Sequence, residues 1–151
     1  MFKILLTVLL TFLFSACSKE IKIHLRKDVS KLEPCPKSPN CVSSQGNESD
    51  KEHHIAPIAY QGEKTMVKAK ILQTLKKFPR VKIIKQTDAY VYAEFTTLIM
   101  RYTDDVEFYI NEGKKVIDVR SASRVGKSDL GKNRSRIEDF RSKFKVLSAS
   151  K

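Results

Sequence analysis

The feature that most constrains the fold is a pair of alternating segments, residues 101–110 and 115–121, joined by the polar residues 111–114. Alternation with a period of two is typical of a strand with one buried face, and a short glycine-containing link between two such strands predicts a β-hairpin. With Ile110 paired to Lys115, the core face carries Val106, Phe108, Ile110, Ile117 and Val119. The opposite face carries Arg101, Asp105, Glu107, Tyr109, Asp118 and Arg120. This register predicts that Asp105 lies directly across from Arg120.

The other periodic segments predict a domain that contains both helices and strands. Residues 55–60, 81–85 and 89–100 have strand patterns, and residues 62–78 and 131–147 have apolar residues at helical spacing. The order β-α-β-β-β-β-α favours an α+β fold, in which a meandering antiparallel sheet of about five strands carries both helices on one face. This order is similar to the TATA-binding-protein-like and helix-grip architectures, an analogy that implies no function.

The N-terminus has the features of an export signal. Lys3 precedes an apolar run at residues 4–14, which is shorter than the about 20 residues that a membrane-spanning helix needs. The sequence Phe14-Ser15-Ala16-Cys17 resembles the lipobox of bacterial lipoproteins, in which the cysteine thiol receives diacylglycerol. We therefore expect a signal peptide at 1–16, a lipidated Cys17 with a tether at 17–33, a domain at 34–147 and a tail at 148–151.

The predicted location follows from this signal. A lipidated, exported protein is anchored in the cell envelope and faces the periplasm, and Ser18 beside the anchor resembles the outer-membrane sorting pattern of bacteria with two membranes. Lys and Arg total 29 against 17 acidic residues, and loss of Lys3 with the signal peptide leaves 28 against 17, a net charge of +11. In the envelope such a charge favours anionic lipid headgroups or acidic polymers, so we expect no nucleic-acid partner.

The three cysteines fit an exported protein in which one of them carries lipid. Cys35 and Cys41 then remain, and they enclose a short loop that contains two prolines. We expect them to form a disulfide, as is usual in oxidising compartments. The alternative is a zinc site that also uses His53 and His54, although the spacing of the cysteines is longer than in most zinc sites. We expect no metal and no cofactor.

Three blocks of the sequence resemble the DUF1499 domain proteins, whose function is not established. The first block is residues 35–44 with the nearby segment 54–58, the second is residues 101–108, and the third is residues 119–138. Together the similarity extends over about residues 34–145. The resemblance implies a domain of a cell envelope or an organelle lumen and no named activity.

The second and third blocks supply a candidate face for a ligand or partner. Its residues are Arg101, Asp105, Glu107, Arg120, Ser121, Ser123, Arg124, Asp129, Asn133 and Arg134. Arginine forks, hydroxyl groups and the start of a helix near Asn133 could hold an anion. Alternatively, Arg120 and Arg124 neutralise Asp104, Asp105 and Glu107, while Asp129 and Asn133 make turns and caps.

These residues favour a non-catalytic binding or scaffolding module over an enzyme. The alternative is a small envelope hydrolase or transferase that uses Asp105, Glu107 and Arg120. A deep pocket that combines these three with Ser43 or Ser123 would favour the enzyme, whereas a fully paired salt-bridge network would favour the module. A third hypothesis is an apolar ligand cavity between helices and sheet, lined by Val67, Ile71, Phe108 and Phe140.

Overall fold

A computed structural model describes residues 28–149, which form one antiparallel sheet and two helices. The elements are β1 (Cys41–Ser43), β2 (Ile58–Ala59), α1 (Lys64–Leu75), β3 (Val81–Gln86), β4 (Tyr90–Thr96), β5 (Thr103–Asn111), β6 (Val116–Ser123) and α2 (Lys132–Ala149). The strand order is β1-β6-β5-β4-β3, and β2 also pairs with β6. The expected signal peptide, the lipidated Cys17 and the first part of the tether lie outside the described residues.

The predicted α+β class with an antiparallel sheet and two helices is confirmed, but the sheet has six strands instead of about five. The additional strand is β1, which lies in a stretch without periodic pattern. It is only three residues long and pairs with β6 through Cys41 and Ala122, Val42 and Ser121, and Ser43 and Arg120. A strand of this length has too few residues to show alternation, so its partner in the sheet decides its structure.

The hydrophobic core lies between one face of the sheet and the two helices. Val67, Ile71 and Leu75 of α1 belong to the same buried cluster as Ile137, Phe140 and Phe144 of α2 and Val106, Phe108 and Ile110 of β5. The ring centroids of Phe108 and Phe140 are 4.4 Å apart, so the sheet and α2 are in direct contact. Within residues 28–149 no helix is long and apolar enough to span a bilayer.

The β5–β6 hairpin has the predicted faces but a different register. Asn111 pairs with Val116, so the loop contains residues 112–115, and Lys115 adopts the left-handed conformation at φ 51°. Asn111 stays in the strand because its side-chain Oδ1 accepts a hydrogen bond from the backbone N–H of Lys114 at 3.2 Å. The predicted pair of Asp105 and Arg120 is therefore wrong: Arg120 lies across from Glu107.

A segment that precedes β1 covers part of the second face of the sheet, the face opposite the helices. Leu32 is buried there in a small cluster with Tyr90 and Tyr92. Gln45 holds the segment in place, since its Oε1 accepts from the N–H of Leu32 and its Nε2 donates to the carbonyl of Ser30, both at 2.8 Å. The contacts of the domain thus begin before the expected boundary at residue 34.

Candidate functional site

Asp105 is the centre of a buried polar network on the second face of the sheet. Its side chain is fully buried, and its Oδ1 accepts a hydrogen bond of 2.5 Å from the hydroxyl group of Tyr92. The guanidinium of Arg124 donates through Nε to both carboxylate oxygens at 3.1 Å, and its Nη2 also contacts Glu94. Alternation along β4 and β5 places Tyr92, Glu94 and Asp105 on this face, and Arg124 reaches it from the end of β6.

Glu107 lies next to this network and is also fully buried. Its Oε2 accepts a hydrogen bond of 2.6 Å from the hydroxyl group of Tyr90, and its Oε1 is 3.5 Å from Nη1 of Arg120. Arg120 is 4% exposed, and its buried Nε has no hydrogen-bond partner among the residues that the structure describes. This arginine is therefore less completely paired than Arg124.

The pKa values of Tyr92 and Arg124 are both raised in this network, so both side chains stay protonated. Burial raises the pKa of the Tyr92 hydroxyl, and the hydrogen bond to Asp105 raises it further. The hydrogen bond to Asp105 also raises the pKa of Arg124, with a further contribution from Glu94. Tyr92 and Arg124 thus remain proton donors, and the carboxylate of Asp105 is used to accept their hydrogen bonds.

The other part of the predicted ligand face lies on the opposite side of the sheet, at the start of α2. Ser121 Oγ donates to Oδ1 of Asn133 at 2.6 Å, and Nδ2 of Asn133 donates to Oγ of Ser123 at 3.0 Å. Asp129 accepts a hydrogen bond of 2.6 Å from the backbone N–H of Asn133 and one of 3.0 Å from that of Gly131. Asp129 therefore occupies the helix start at which the sequence suggested an anion.

The structure therefore divides the predicted face into separate groups. Arg120 and Arg124 lie on the second face with Asp105 and Glu107, whereas Ser121, Ser123, Asp129 and Asn133 lie with the helices. Arg134 belongs to neither group: its Nη2 donates to the backbone carbonyls of Lys51, Glu52 and His54. Arg101 is exposed in the link between β4 and β5 at φ 56°, since β5 begins at Thr103 and not at residue 101.

A disulfide bond joins Cys35 and Cys41, as the sequence predicted, with an S–S distance of 2.06 Å. Sulfur atoms bonded to each other cannot ligate zinc as thiolates, so the alternative that uses these cysteines is excluded. His53 has other contacts: its Nδ1 lies 2.8 Å from Oδ2 of Asp50, and its Nε2 lies 3.2 Å from the carbonyl oxygen of Ser38. Residues 28–149 contain no group of three or more side chains arranged to hold a metal ion.

A cavity of about 490 Å³ lies beside the disulfide loop. The residues that line it come from the segment before β1, from the last residue of β1 and from the turn after it: Lys31, Leu32, Glu33, Pro34, Cys35, Pro36, Lys37, Ser43, Gln45, Gly46, Asn47, Asp50 and His53. Ser43 lines this cavity, whereas Asp105, Glu107 and Arg120 do not. The cavity therefore does not combine the residues proposed for the enzyme alternative.

The sequence interpretation missed several residues of both groups. Tyr90, Tyr92 and Glu94 alternate with the core residues of β4, so the same pattern that identified Asp105 and Glu107 could have placed them on the second face. Asp104 and Arg136 form an ion pair at the helix face, and no local pattern links them because 32 residues separate them. The interpretation also placed residues 98–100 in a strand, whereas β4 ends at Thr96.

Comparison with known proteins identifies the family. No curated protein matches the sequence. A family model described as "Protein of unknown function (DUF1499)" matches residues 31–144, a range that includes β1 to β6, α1 and most of α2. The chain therefore belongs to the DUF1499 family.

Proposed function

We propose that the protein is a lipid-anchored protein of the cell envelope and that its domain is a non-catalytic binding or scaffolding module. The observation that supports a non-catalytic module is the burial and hydrogen bonding of the two candidate catalytic carboxylates. Asp105 and Glu107 are fully buried, and both accept hydrogen bonds from tyrosine hydroxyl groups. A general acid or base must reach its substrate, and these groups are already engaged by tyrosine and arginine side chains of the sheet.

The anchor part of the proposal is supported by the sequence before the described residues. The basic start, the apolar run and Cys17 form the pattern of a lipoprotein signal. The disulfide between Cys35 and Cys41 agrees with an oxidising compartment outside the cytoplasm. Lipidation of Cys17 would also explain why the chain has three cysteines while one pair is bonded.

The arginines that already have hydrogen-bond partners are poor candidates for binding an anionic ligand or an envelope partner. We therefore place the proposed contact surface elsewhere. Asp105 and Glu94 engage Nε and Nη2 of Arg124, and three backbone carbonyl groups engage Nη2 of Arg134. Exposed cations remain at the end of the sheet where β4 joins β5, and these include Arg101 and Lys127. Contact through exposed cations needs no opening of the buried network.

One observation favours the enzyme alternative. A hydrolase or transferase would need a cationic group that can still bind substrate, and the buried Nε of Arg120 has no partner among the described residues. Glu107 and Asp105 lie on the same face of the sheet. Both carboxylates are fully buried, so substrate could reach them only if part of the second face opened, and this function is the second candidate.

The likeness to TATA-binding-protein-like or helix-grip architectures also remains a proposal. An antiparallel sheet with two helices packed against one face supports it. It implies no ligand, since such architectures have many functions.

The test of the anchor is the Cys17→Ser variant in a bacterial host, compared with native protein and with a Cys35→Ala/Cys41→Ala variant. We expect the native protein and the disulfide variant in the membrane fraction, each with an N-terminal mass that includes lipid. The Cys17→Ser variant should lack the lipid and keep its first sixteen residues. A native N-terminus without lipid would disprove the anchor.

The test of the module is native mass spectrometry of the tagged protein extracted from the envelope, together with Glu107→Gln. A bound ligand or partner that is retained by Glu107→Gln supports a module with an exposed contact surface. A substrate that accumulates on Glu107→Gln but is turned over by the native protein would support the enzyme.

A further inference from the structure

Exposed apolar side chains are concentrated at one end of the sheet. Eight large apolar residues are exposed in the described part of the chain, and six of them lie in two loops, residues 97–102 and 124–131. The exposed fractions reach 85% for Ile99 and 91% for Leu130. The six are Leu98, Ile99, Met100, Tyr102, Val125 and Leu130. An exposed apolar surface of this kind marks a site of interaction more often than scattered single residues do.

The two loops are neighbours because of the strand directions. β5 is antiparallel to both β4 and β6, so the end of β4, the start of β5 and the end of β6 lie at the same edge. The backbone N–H of Arg124, at the start of one loop, donates at 3.3 Å to the carbonyl of Thr103, the residue that follows the other loop. We call this edge, with residues 97–102 and 124–131, the apolar end.

The loop at residues 97–102 is closed at its base by its own hydrogen bonds. The N–H of Thr97 donates to the carbonyl of Tyr102, and the N–H of Tyr102 donates to Oγ1 of Thr97, both at 2.9 Å. Leu98, Ile99 and Met100 therefore lie at the tip of a closed loop. A protruding tip of three apolar residues is suited to entering a soft apolar phase.

Cations surround the apolar end, and the acidic groups there are already paired. Arg80, Arg101, Lys127 and Lys132 are exposed, and none has a carboxylate partner among residues 28–149. The acidic side chains at this end are Asp104, Glu94 and Asp129, which contact Arg136, Arg124 and the start of α2 respectively. The uncompensated charge is therefore positive.

We propose that the apolar end is a second membrane contact, in which Leu98, Ile99 and Met100 enter the interface of an anionic bilayer and the surrounding cations bind its headgroups. Apolar side chains flanked by Lys and Arg, with a tyrosine at the boundary, are the pattern of segments that bind a membrane surface without crossing it. A protein partner fits less well, because lysine is depleted in protein interfaces and a protruding tip needs a matching groove.

The proposed lipid on Cys17 is compatible with this orientation but is not needed for it. Asp28 lies eleven positions after Cys17 (28 minus 17), and a chain of that length spans at most about 40 Å. The domain could thus turn its apolar end to the same bilayer. The two contacts would fix its orientation, whereas the lipid alone would leave the domain free to rotate.

The test uses the full chain, purified and reconstituted into vesicles, with one environment-sensitive fluorophore on an introduced cysteine. Ile99→Cys reports on the apolar end, Lys114→Cys reports on the opposite end of the sheet, and Met66→Cys reports on an exposed apolar site of α1. Vesicles contain either phosphatidylcholine alone or a mixture with phosphatidylglycerol, and both carry lipids with a quencher at the level of the shallow acyl chain. Intact mass shows separately whether Cys17 is lipidated.

We expect several-fold stronger quenching at position 99 than at 114 or 66 in the anionic vesicles, and a decrease with added salt or with Arg101→Glu/Lys127→Glu. If position 99 responds when Cys17→Ser is also present, so that the introduced cysteine is the one thiol free for labelling, the contact stands although the anchor fails. Equal quenching at 99 and 114 in a protein that floats with the vesicles would overturn the contact and leave the anchor intact. A fluorescence change at position 99 that occurs without vesicles and increases with protein concentration would show that a second copy covers this end. That result would also overturn the proposal.

Discussion

Arg124 donates through Nε to both carboxylate oxygens of Asp105 at 3.1 Å, although the two residues are 19 apart in the sequence. This contact joins the end of β6 to the middle of the sheet across its second face. Asp105 has no exposed surface, so its charge must be compensated inside the protein. The contact therefore makes the second face a polar layer of the core.

Loss of the Arg124 guanidinium should destabilise the domain. Arg124→Ala leaves the carboxylate of Asp105 buried with one tyrosine donor, and breaking a buried ion pair in this way costs about 3 kcal/mol. The measurement is the free energy of unfolding from urea titration at neutral pH. Lys127→Ala, an exposed control in the neighbouring loop, should change it by less than about 0.5 kcal/mol. An equal effect of the two variants would show that the Arg124 contact contributes nothing.

The tyrosine hydroxyl of the same network can be tested without removing a charge. Tyr92→Phe removes the donor that lies 2.5 Å from Asp105 and leaves the ring in place. Because hydrogen bonds to charged groups are worth about 2 kcal/mol, we expect a loss of this size in the free energy of unfolding. Tyr102→Phe is the matched control, since Tyr102 is exposed. If both variants unfold at the same urea concentration, Tyr92 is not needed to satisfy Asp105.

The sequence predicted the faces of the β5–β6 hairpin but not its register, and the reason is geometric. The observed pairing differs from the predicted one by two residues, and a shift of two leaves every side chain on the same face. The hydrophobic pattern therefore could not distinguish the two pairings. The turn decides between them, and Lys115 takes the left-handed conformation there.

The polar layer could not be predicted from alternation because burial of the second face depends on another segment. Asp105, Glu107 and Arg120 have the pattern of a solvated face, but the segment around Leu32 covers part of it. That segment is held by Gln45, which is 13 residues from Leu32 in the sequence, and by the disulfide loop. The loop at residues 98–100 could have been recognised from the sequence, since three consecutive apolar residues do not alternate as a strand with one buried face should.

The disulfide should stabilise the domain moderately. A closed loop as short as that between Cys35 and Cys41 contributes about 2 kcal/mol in the chain-entropy model. Cys35→Ala/Cys41→Ala should lower the free energy of unfolding by about this amount, and reductant should lower that of the native protein but not that of the variant. Mass spectrometry without reductant should find the two cysteines joined. Free thiols in protein isolated from the envelope would contradict the structure.

The contact between His53 and Asp50 should make stability depend on pH near neutrality. The hydrogen bond that His53 donates to the carboxylate of Asp50 raises the pKa of His53 above its usual value of 6.5, and the carbonyl of Ser38 supports the charged form. Both ring nitrogens face acceptors, and only the imidazolium can donate from both. A raised folded-state pKa gives stability that is fully present below pH 6.5 and is lost as the pH rises through the folded value.

Thermal unfolding of the native protein should therefore shift to lower temperature between about pH 6 and pH 8. His53→Gln and Asp50→Asn should each remove this slope, because neither variant can form the imidazolium–carboxylate pair. Glu48→Gln, an exposed control in the same turn, should keep it. The pKa of Asp50 is lowered by the same hydrogen bond, so its contribution is present above its usual value of 3.8 and is lost only in more acidic solution. A slope that persists in both variants would assign the pH dependence to another group.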